Sequence, residues 1–402
     1  MAPRQRDPIR RVELADGTVR YRFVIDMGKR ADGRRDQRTF TFDSMREARA
    51  ERARIISERA DGRLVRPNRK LTVREYFEGW IESKVSKKPS TIQCYRDALR
   101  PLIDLYGHLP LQQLDVPHLE RIKKGMLAGE LRRVGKAGAP LSPRTVNLFL
   151  TSVTTALKAA VKRRLLAVNV GECVDRVESD PDAGADRGQW ELVHVQAFLA
   201  HVRGHRLAGA FFLSLCGLRR GEVLGLCWPA VTLSGDSPEL TVRRNRVQVD
   251  GQVYEGTPKS KASRRTLPLV GPMLTALTQL QLRQREELEE AGEAYQPDCP
   301  LCGEAHVVAD ELGRPYRPEW YSDEFERQLQ AARKVADLPR VPLHGSRHAA
   351  ASLLGAMGLP ILDVAAHLGQ SQISVTAGYQ HASRAGLSDV ALRISDVLTG
   401  RV

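Results

Sequence analysis

The first 60 residues carry two stretches in which apolar and polar positions alternate. Residues 10–26 alternate around an Asp-Gly turn, and residues 37–43 alternate again after a second turn-rich segment. A helix is predicted from about residue 44 to residue 60. The pattern therefore predicts a small module of three strands and one helix, followed by a linker over residues 63–70.

Residues 71–170 have helical spacing and predict a bundle of four helices. We expect Ser90 to cap the second helix and Ser142 the fourth, because a serine hydroxyl accepts a hydrogen bond from the first turn. Pro143 fits the first position of that fourth helix. The four helices carry, in order, Tyr76, Phe77, Trp80 and Ile81; Ile92, Tyr95, Leu99 and Leu102; residues 116–128; and Val146, Leu150, Val153, Leu157 and Val161.

A second linker is predicted over residues 171–188, and beyond it short strands are mixed with helices. The predicted elements are helices near 191–203 and 205–217 and from about 219, strands near 239–249, 252–255 and 264–269, and mainly helices from 271 onward. A last amphipathic helix is predicted in the tail, with the apolar positions Leu387, Val390, Ala391, Ile394, Val397 and Leu398.

Composition narrows the class of protein. A chain of 402 residues, 42% hydrophobic and 27% charged, predicts two or three folded domains. Its first residues are polar and basic, and no window reaches the ~18 to 20 apolar residues of a membrane helix. Six scattered cysteines do not suggest a disulfide framework. We therefore expect a soluble cytoplasmic protein.

The net charge of +14 is unevenly distributed. Residues 1–66 carry +7 and residues 67–175 carry +9, whereas residues 176–402 carry −2. This asymmetry favours a polyanionic partner such as nucleic acid, although an arginine-rich soluble surface is the alternative. Within the last region, residues 286–326 carry −11 and are expected to form an external elaboration that faces away from DNA.

Four segments in the second half of the chain carry the candidate chemistry. They are GLRRGEVLGL at 217–226, TPKSKASRRTLPL at 257–269, LHGSRHAAASLL at 343–354 and HLGQSQISVTAGYQH at 367–381. Singly, each has an ordinary structural explanation, such as a surface arginine, a helix cap or a half-buried tyrosine.

Together, the four segments supply a reaction at a phosphodiester. The forks of Arg219 and Arg347 can bind phosphate oxygens and stabilise a pentavalent transition state. A tyrosine hydroxyl can attack phosphorus, and a lysine on a hairpin can protonate the departing sugar oxygen. No metal cluster with carboxylate ligands is evident in the sequence, so we expect neither a cofactor nor a catalytic metal.

These segments resemble the tyrosine recombinase (phage integrase) family over about residues 187–385. The order Arg, Lys, His-x-x-Arg, Leu-Gly-His/Trp, Tyr matches that family, as do the intervals of 3, 23 and 9 residues between its last four positions. The resemblance implies these roles: Arg219 and Arg347 as phosphate clamps, His344 as proton acceptor or donor, Tyr379 as nucleophile, and Glu222 as the carboxylate that braces Arg219.

Two positions of the motif need separate treatment. The catalytic lysine is either Lys259 or Lys261, and the spacing to the following strand favours Lys261. Gln370 stands where the family usually has His or Trp. A glutamine can donate a hydrogen bond to a phosphate oxygen but cannot exchange protons near neutral pH.

The resemblance also implies a multidomain fold, mainly α with small β parts. Residues 1–66 resemble an arm-type DNA-binding domain, residues 70–175 a helical core-binding (SAM-like) domain, and residues 187–402 the mixed α+β catalytic domain. The implied partners are double-stranded DNA at core and arm attachment sites, further copies of the chain in a tetramer, a DNA-bending host factor and an excision factor. No membrane partner is expected.

One further cluster lies in the acidic segment. Cys299, Cys302 and His306 have the spacing of three zinc ligands. A closed structural site takes four ligands and the fourth is not evident in the sequence. The segment is therefore either an incomplete zinc site or a plain turn with free thiols.

The sequence thus predicts a site-specific recombinase that integrates and excises a mobile element through a 3′-phosphotyrosine intermediate, in the cytoplasm and on the nucleoid. Two alternatives remain at this point. One is a type IB topoisomerase-like relaxing enzyme, and the other is a DNA-binding protein of the same fold with impaired catalysis.

Overall fold

The computed structural model describes residues 7–15, 17–29, 34–60, 70–131, 138–178, 190–258, 261–357 and 359–370. The chain divides into two compact units, Met1–Asp180 and Pro181–Val402, and each is described by itself. No helix in the described ranges is long and apolar enough to cross a membrane.

The first unit opens with a three-stranded antiparallel sheet and one helix, as predicted. The elements are β1 (Arg10–Glu13), β2 (Val19–Lys29), β3 (Arg35–Phe42) and α1 (Met45–Ala60), with sheet order β1-β2-β3. Phe23 is buried and stacks on Phe40 and Phe42, with ring centroids 5.3 and 5.7 Å away. A small separate core forms where Ala48 and Ile55 of α1 pack against the sheet.

Four helices with their own core follow in the same unit. They are α2 (Val73–Glu82), α3 (Pro89–Tyr106), α4 (Val116–Ala128) and α5 (Pro143–Lys162). The predicted cap at Ser142 is confirmed, because its hydroxyl accepts the Thr145 N–H. The predicted cap at Ser90 is wrong: α3 begins one residue earlier, with Pro89 as its first residue. Proline has no N–H to satisfy and its fixed φ suits that position.

The second unit mixes helices with two small sheets. Its helices are α6 (Leu192–His201), α7 (Ala208–Leu215), α8 (Arg220–Leu224), α9 (Gly271–Ala291), α10 (Pro318–Ala332), α11 (Leu343–Ala356) and α12 (Ile361–Leu368). Its strands are β4 (Val231–Thr232), β5 (Glu239–Val242), β6 (Asn245–Val249), β7 (Gln252–Gly256) and β8 (Arg265–Pro268), in the orders β4-β5-β8 and β6-β7.

The predicted single strand over residues 239–249 is wrong, because β5 and β6 pair in different sheets. The chain leaves the first sheet at residues 243 and 244 and passes close to the end of α8. A Cβ on Gly225 would lie 3.0 Å from the backbone of Arg244 and Asn245. This close approach requires a glycine at position 225. The alternation of apolar and polar residues gives no indication of it, so the break between the two strands was not predicted.

The acidic segment 286–326 is not an external elaboration, contrary to expectation. Val307, Val308, Tyr321 and Phe325 are at most 1% exposed and belong to the main core of the second unit. Its acidic residues are partly internal too, since Glu324 is 3% exposed and ion-paired with arginine and histidine side chains. The predicted tail helix lies outside the described residues.

Candidate active site

Arg219 and Glu222 stand at the start of α8 and are bonded to each other twice. The Arg219 backbone N–H donates to Glu222 Oε2 (3.1 Å), and the Arg219 guanidinium donates to Oε1 (2.6 Å). Glu222 is 2% exposed, whereas the Arg219 side chain is 36% exposed. The carboxylate therefore caps the helix and braces the arginine from the interior, while part of the guanidinium faces the surface.

Arg347 lies in the first half of α11 on its buried side and is 6% exposed. Its guanidinium donates to the backbone carbonyls of Gly217 and Leu368. Gly217 has a φ of 94°, and a Cβ there would lie 2.5 Å from the Leu368 side chain. A glycine is therefore required at position 217, where the segment before α8 packs against α12. The hydrogen bonds of Arg347 link that segment to α12.

The C-terminal end of α12 is the point where these arginines meet. Gly369 ends the helix with a φ of 61°, and its carbonyl accepts from Arg219 Nη2 at 3.2 Å. The carbonyl one residue earlier accepts from Arg347. Cations stabilise helix C-termini because the free carbonyls there are partially negative. Gln370 follows directly, so Arg219, Arg347 and Gln370 come together.

Sequence analysis missed Arg265, which links the hairpin region to this site. Its side chain is 7% exposed and donates to Glu222 Oε2 (3.1 Å) and to the His367 carbonyl (2.5 Å). Burial raises the pKa of Glu222, but the charges of Arg265 and Arg219 outweigh it and hold that pKa below its ordinary value. The sequence does carry an indication of this contact, because Arg265 and Leu267 lie on the same face of β8. A buried arginine on that face needs an acidic partner in the interior.

His344 is the second residue of α11, the helix that also carries Arg347, and it is exposed at the surface. Partial burial of the ring lowers its pKa, and the neighbouring His348 and the positive charges of Arg347, Arg219 and Arg220 lower it further. The rings of His344 and His348 meet edge to face, with centroids 5.0 Å apart. His344 is thus held in its neutral form at neutral pH and can accept a proton.

The remaining predicted site residues are only partly described. Tyr379 and Lys259 lie outside the described residues. Lys261 begins a short 3₁₀ turn, and of Lys261 itself only the backbone is described. His367, three residues before Gln370, is turned to the core, because its Nε2 lies 2.8 Å from the Cys216 carbonyl. This ring nitrogen therefore makes a structural contact.

The three cysteine and histidine residues of the acidic segment also come together. Cys299, Cys302 and His306 meet the carboxylate of Glu255, and the four side-chain ligand atoms all lie within 4.8 Å of one another. Glu255 was not predicted from the sequence, because it precedes Cys299 by 44 residues.

Comparison with known proteins gives relatives along most of the chain. The chain is 26% identical over 396 residues to the tyrosine recombinase XerC-like protein of Caldanaerobacter subterraneus subsp. tengcongensis, covering 92% of this chain and 94% of the relative. It is 26% identical over 262 residues to the ICEBs1 integrase of Bacillus subtilis, covering 64% and 67%. No protein-family model matches the chain.

Solved structures share the fold. The Tn1549 transposon integrase in complex with transposon right end DNA superposes with a TM-score of 0.67 at 17% identity, covering 81% of this chain and 100% of the other. A lambda integrase tetramer bound to a Holliday junction gives a TM-score of 0.56 at 14% identity, covering 94% and 96%. In sequence over most of its length and in fold, the chain is thus similar to proteins named tyrosine recombinase and integrase, and it carries the motif order described above.

Proposed function

We propose that this tyrosine recombinase is the integrase of a mobile element, and that it cleaves and rejoins DNA through a 3′-phosphotyrosine bond at Tyr379. One observation carries the assignment of its site: Arg219 and Arg347 converge on the end of α12, immediately before Gln370. Their positions match the family's phosphate-binding arginines, and Tyr379 follows Gln370 by nine residues.

The proposed reaction divides the work among few side chains. Tyr379 attacks phosphorus and gives its proton to the neutral His344, while the Arg219 and Arg347 guanidinium groups stabilise the charge on the phosphate oxygens. Lys261 protonates the departing 5′ oxygen. In the reverse step a 5′ hydroxyl attacks the phosphotyrosine and releases the tyrosine. Gln370 adds a neutral hydrogen bond to the phosphate.

The charge distribution supports DNA as the partner. Residues 1–175 hold the whole positive excess of the chain, which suits arm-type binding by residues 1–66 and core-site binding by residues 70–175. The lambda relative is a tetramer on a Holliday junction, and we infer the same assembly for this chain. A host DNA-bending factor, an excision factor and a cytoplasmic, nucleoid-bound location complete the proposal.

A nicked suicide substrate, in which cleavage traps the covalent product, tests the proposal. The wild-type chain should give a covalent protein–DNA band, and Tyr379→Phe should bind DNA equally well and give none, because only the attacking oxygen is removed. A covalent band with Tyr379→Phe would identify a different nucleophile. A wild-type gel shift without a covalent band would favour the binding protein with impaired catalysis, and relaxation of supercoils without strand exchange would favour the topoisomerase.

A further inference from the structure

The loop between α9 and α10 builds a tight turn around two cysteines. The Gly303 N–H donates to the Cys299 carbonyl (2.8 Å), and the Cys299 N–H donates to the Glu304 carbonyl (3.3 Å). Gly303 has a φ of 70°, which lets the chain reverse directly after Cys302. This Cys-Pro-Leu-Cys-Gly turn brings both sulfur atoms close to His306 and Glu255.

Three of the separations among the four ligand atoms fit a tetrahedral ion. His306 Nε2 lies 3.2 Å from Glu255 Oε1 and 3.4 Å from Cys302 Sγ, and Cys299 Sγ lies 3.6 Å from Glu255 Oε1. Zn²⁺ with bonds of ~2.0–2.1 Å to N and O and ~2.3 Å to S requires edges of about 3.3–3.8 Å between tetrahedral ligands. The measured separations lie at or close to that range.

The histidine is oriented as a metal ligand. Its Nδ1 lies 2.8 Å from the Leu224 carbonyl, to which it can only donate, so in a neutral ring the Nε2 lone pair points at the other ligands. Metal-binding histidines usually donate their second ring N–H to a carbonyl or carboxylate in this way. The alternative without metal is a protonated His306 paired with the Glu255 carboxylate.

Two observations on the carboxylate favour a metal over that ion pair. The Glu255 side chain is 3% exposed, yet its Oε2 is buried without a hydrogen-bond partner among the described residues. A buried carboxylate oxygen left in this way is costly unless an ion or water satisfies it. The two cysteines next to it supply soft ligands that an ion pair does not need.

The surroundings balance the charge that a bound zinc would create. Two thiolates and one carboxylate around Zn²⁺ leave one negative charge. The Arg246 guanidinium, 8% exposed, pairs with Glu255 and approaches Cys299 Sγ to 3.6 Å. Its remaining donors reach the Tyr316 and Pro315 carbonyls, so the arginine is fixed at the site.

We propose that Cys299, Cys302, His306 and Glu255 bind one structural Zn²⁺ in this recombinase. Zinc is the ion of choice for a site of two thiolates and one imidazole, whereas Mg²⁺ and Ca²⁺ prefer oxygen ligands. The site joins β7 to the acidic segment, and His306 also bonds the last residue of α8, the helix that Arg219 and Glu222 begin. The ion stabilises the scaffold behind the active site and takes no part in phosphoryl transfer.

Metal content of the full-length wild-type chain gives the first test. We expect about one Zn²⁺ per chain by mass spectrometry of protein purified without chelator. After chelation, titration with Co²⁺ should give the visible bands of a tetrahedral site and the ultraviolet thiolate band, at a stoichiometry of one. Wild-type chain that stays folded, copurifies with no zinc and shows no thiolate band with Co²⁺ would overturn the proposal.

Matched serine variants locate the site. Cys302→Ser should lose the zinc and lower the melting temperature, and added Zn²⁺ should not restore it. Cys173→Ser makes the same change at an exposed cysteine of the other unit and should keep both the zinc and the melting temperature. Equal zinc content in the two variants would overturn the proposed ligand set.

The fourth ligand has its own test, because the buried Cys227 pairs with the ligand His306 in an isolated antiparallel β-bridge and is a further cysteine near the site. Glu255→Gln should weaken Zn²⁺ binding in competition with a chelating dye, and Cys227→Ala should leave that affinity unchanged. The reverse result would overturn the assignment of Glu255. Because none of these readouts is DNA cleavage, failure here is distinguishable from failure of the recombinase chemistry.

Discussion

Two buried carboxylates organise the second unit, and they do so differently. Glu222 is 2% exposed, and both its oxygens are occupied, one by Arg219 and one by Arg265. The Glu255 side chain is 3% exposed and pairs with one arginine, Arg246, while its Oε2 has no hydrogen-bond partner in the described part of the chain. Two thiols and an imidazole lie beside Glu255, whereas Glu222 accepts hydrogen bonds from the guanidinium groups of Arg219 and Arg265 and from the Arg219 backbone N–H.

The difference shows what a buried acid is for. A carboxylate whose oxygens both accept from arginines serves to position those arginines, and one of them here, Arg219, is partly exposed at the candidate active site. A carboxylate with a buried oxygen that has no hydrogen-bond partner in the described part of the chain, next to thiols and an imidazole, has the features of a metal ligand. Variants of the Glu222 group should therefore change catalysis without changing zinc content, and variants of the Glu255 group should change zinc content first.

Arg347→Ala should give the largest loss of activity. Removal of an arginine that stabilises a phosphoryl transition state costs about 10³–10⁵-fold in rate, and we expect a loss of that size in single-turnover cleavage of the suicide substrate. Zinc content should stay at the wild-type value. Arg347→Lys keeps the charge but loses the fork, and should remain strongly impaired. Wild-type cleavage by Arg347→Lys would show that Arg347 acts only as a general positive charge.

His344 and His306 sharpen the comparison, because one is proposed to move a proton and the other to bind a metal. His344→Asn should slow cleavage by about 10²-fold or more, the usual range for a lost acid–base group. The lowered pKa of His344 means that the neutral ring persists to a pH below its ordinary value of 6.5, and wild-type cleavage should fall only as the pH drops further.

The pH profile also contains its own control. His348→Ala removes the neighbouring ring that helps to lower the pKa of His344, and should move the acidic limb of the profile to higher pH. An acidic limb that survives unchanged in His344→Asn would mean that another group accepts the proton.

Glu222→Gln should slow cleavage by less than His344→Asn and by more than Gln370→Ala. It should also lower the stability of the fold. Breaking a buried ion pair by removing one partner costs about 3–5 kcal/mol, because Arg265, with a side chain 7% exposed, keeps its charge. The free energy of unfolding, from denaturant titration, should fall by a similar amount with or without added Zn²⁺. Glu239→Gln, at an exposed position of β5, should change it little.

Local patterns in the sequence predicted the helices of the first unit well. Each helix from α2 to α5 has an apolar stripe that faces one shared core, and α5 is capped by the expected serine with a proline as its first residue. The buried face of such a helix is formed by apolar residues three or four positions apart, and this spacing can be read directly from the sequence.

The second unit contains what the sequence could not show. Glu255 meets Cys299 across 44 residues, and Arg265 meets Glu222 across 43, so neither pairing leaves a local pattern. The acidic segment was expected to be external because of its net charge, but its four core residues outweigh that charge in deciding where it packs. Motif order predicted one site for Arg219, His344 and Arg347, and in the structure Arg219 and Arg347 both bond carbonyls at the end of α12.

Gln370 should give the smallest effect, and it separates residues that contact phosphate by charge from those that contact it by a neutral bond. Gln370→Ala removes one neutral hydrogen bond, worth about 1 kcal/mol, and should slow cleavage about five- to tenfold. Gln370→His should match or modestly exceed the wild-type rate, because an imidazole at the end of α12 can also donate to the phosphate. Neither change touches the carbonyls that Arg219 and Arg347 bond, so zinc content and melting temperature should stay constant in both variants. Single-turnover cleavage of one substrate by both variants and Arg347→Ala provides the measurement. A loss in Gln370→Ala as large as that in Arg347→Ala would show that this neutral side chain does more than hydrogen-bond the phosphate. Gln370 would then be as important for cleavage as the active-site arginines.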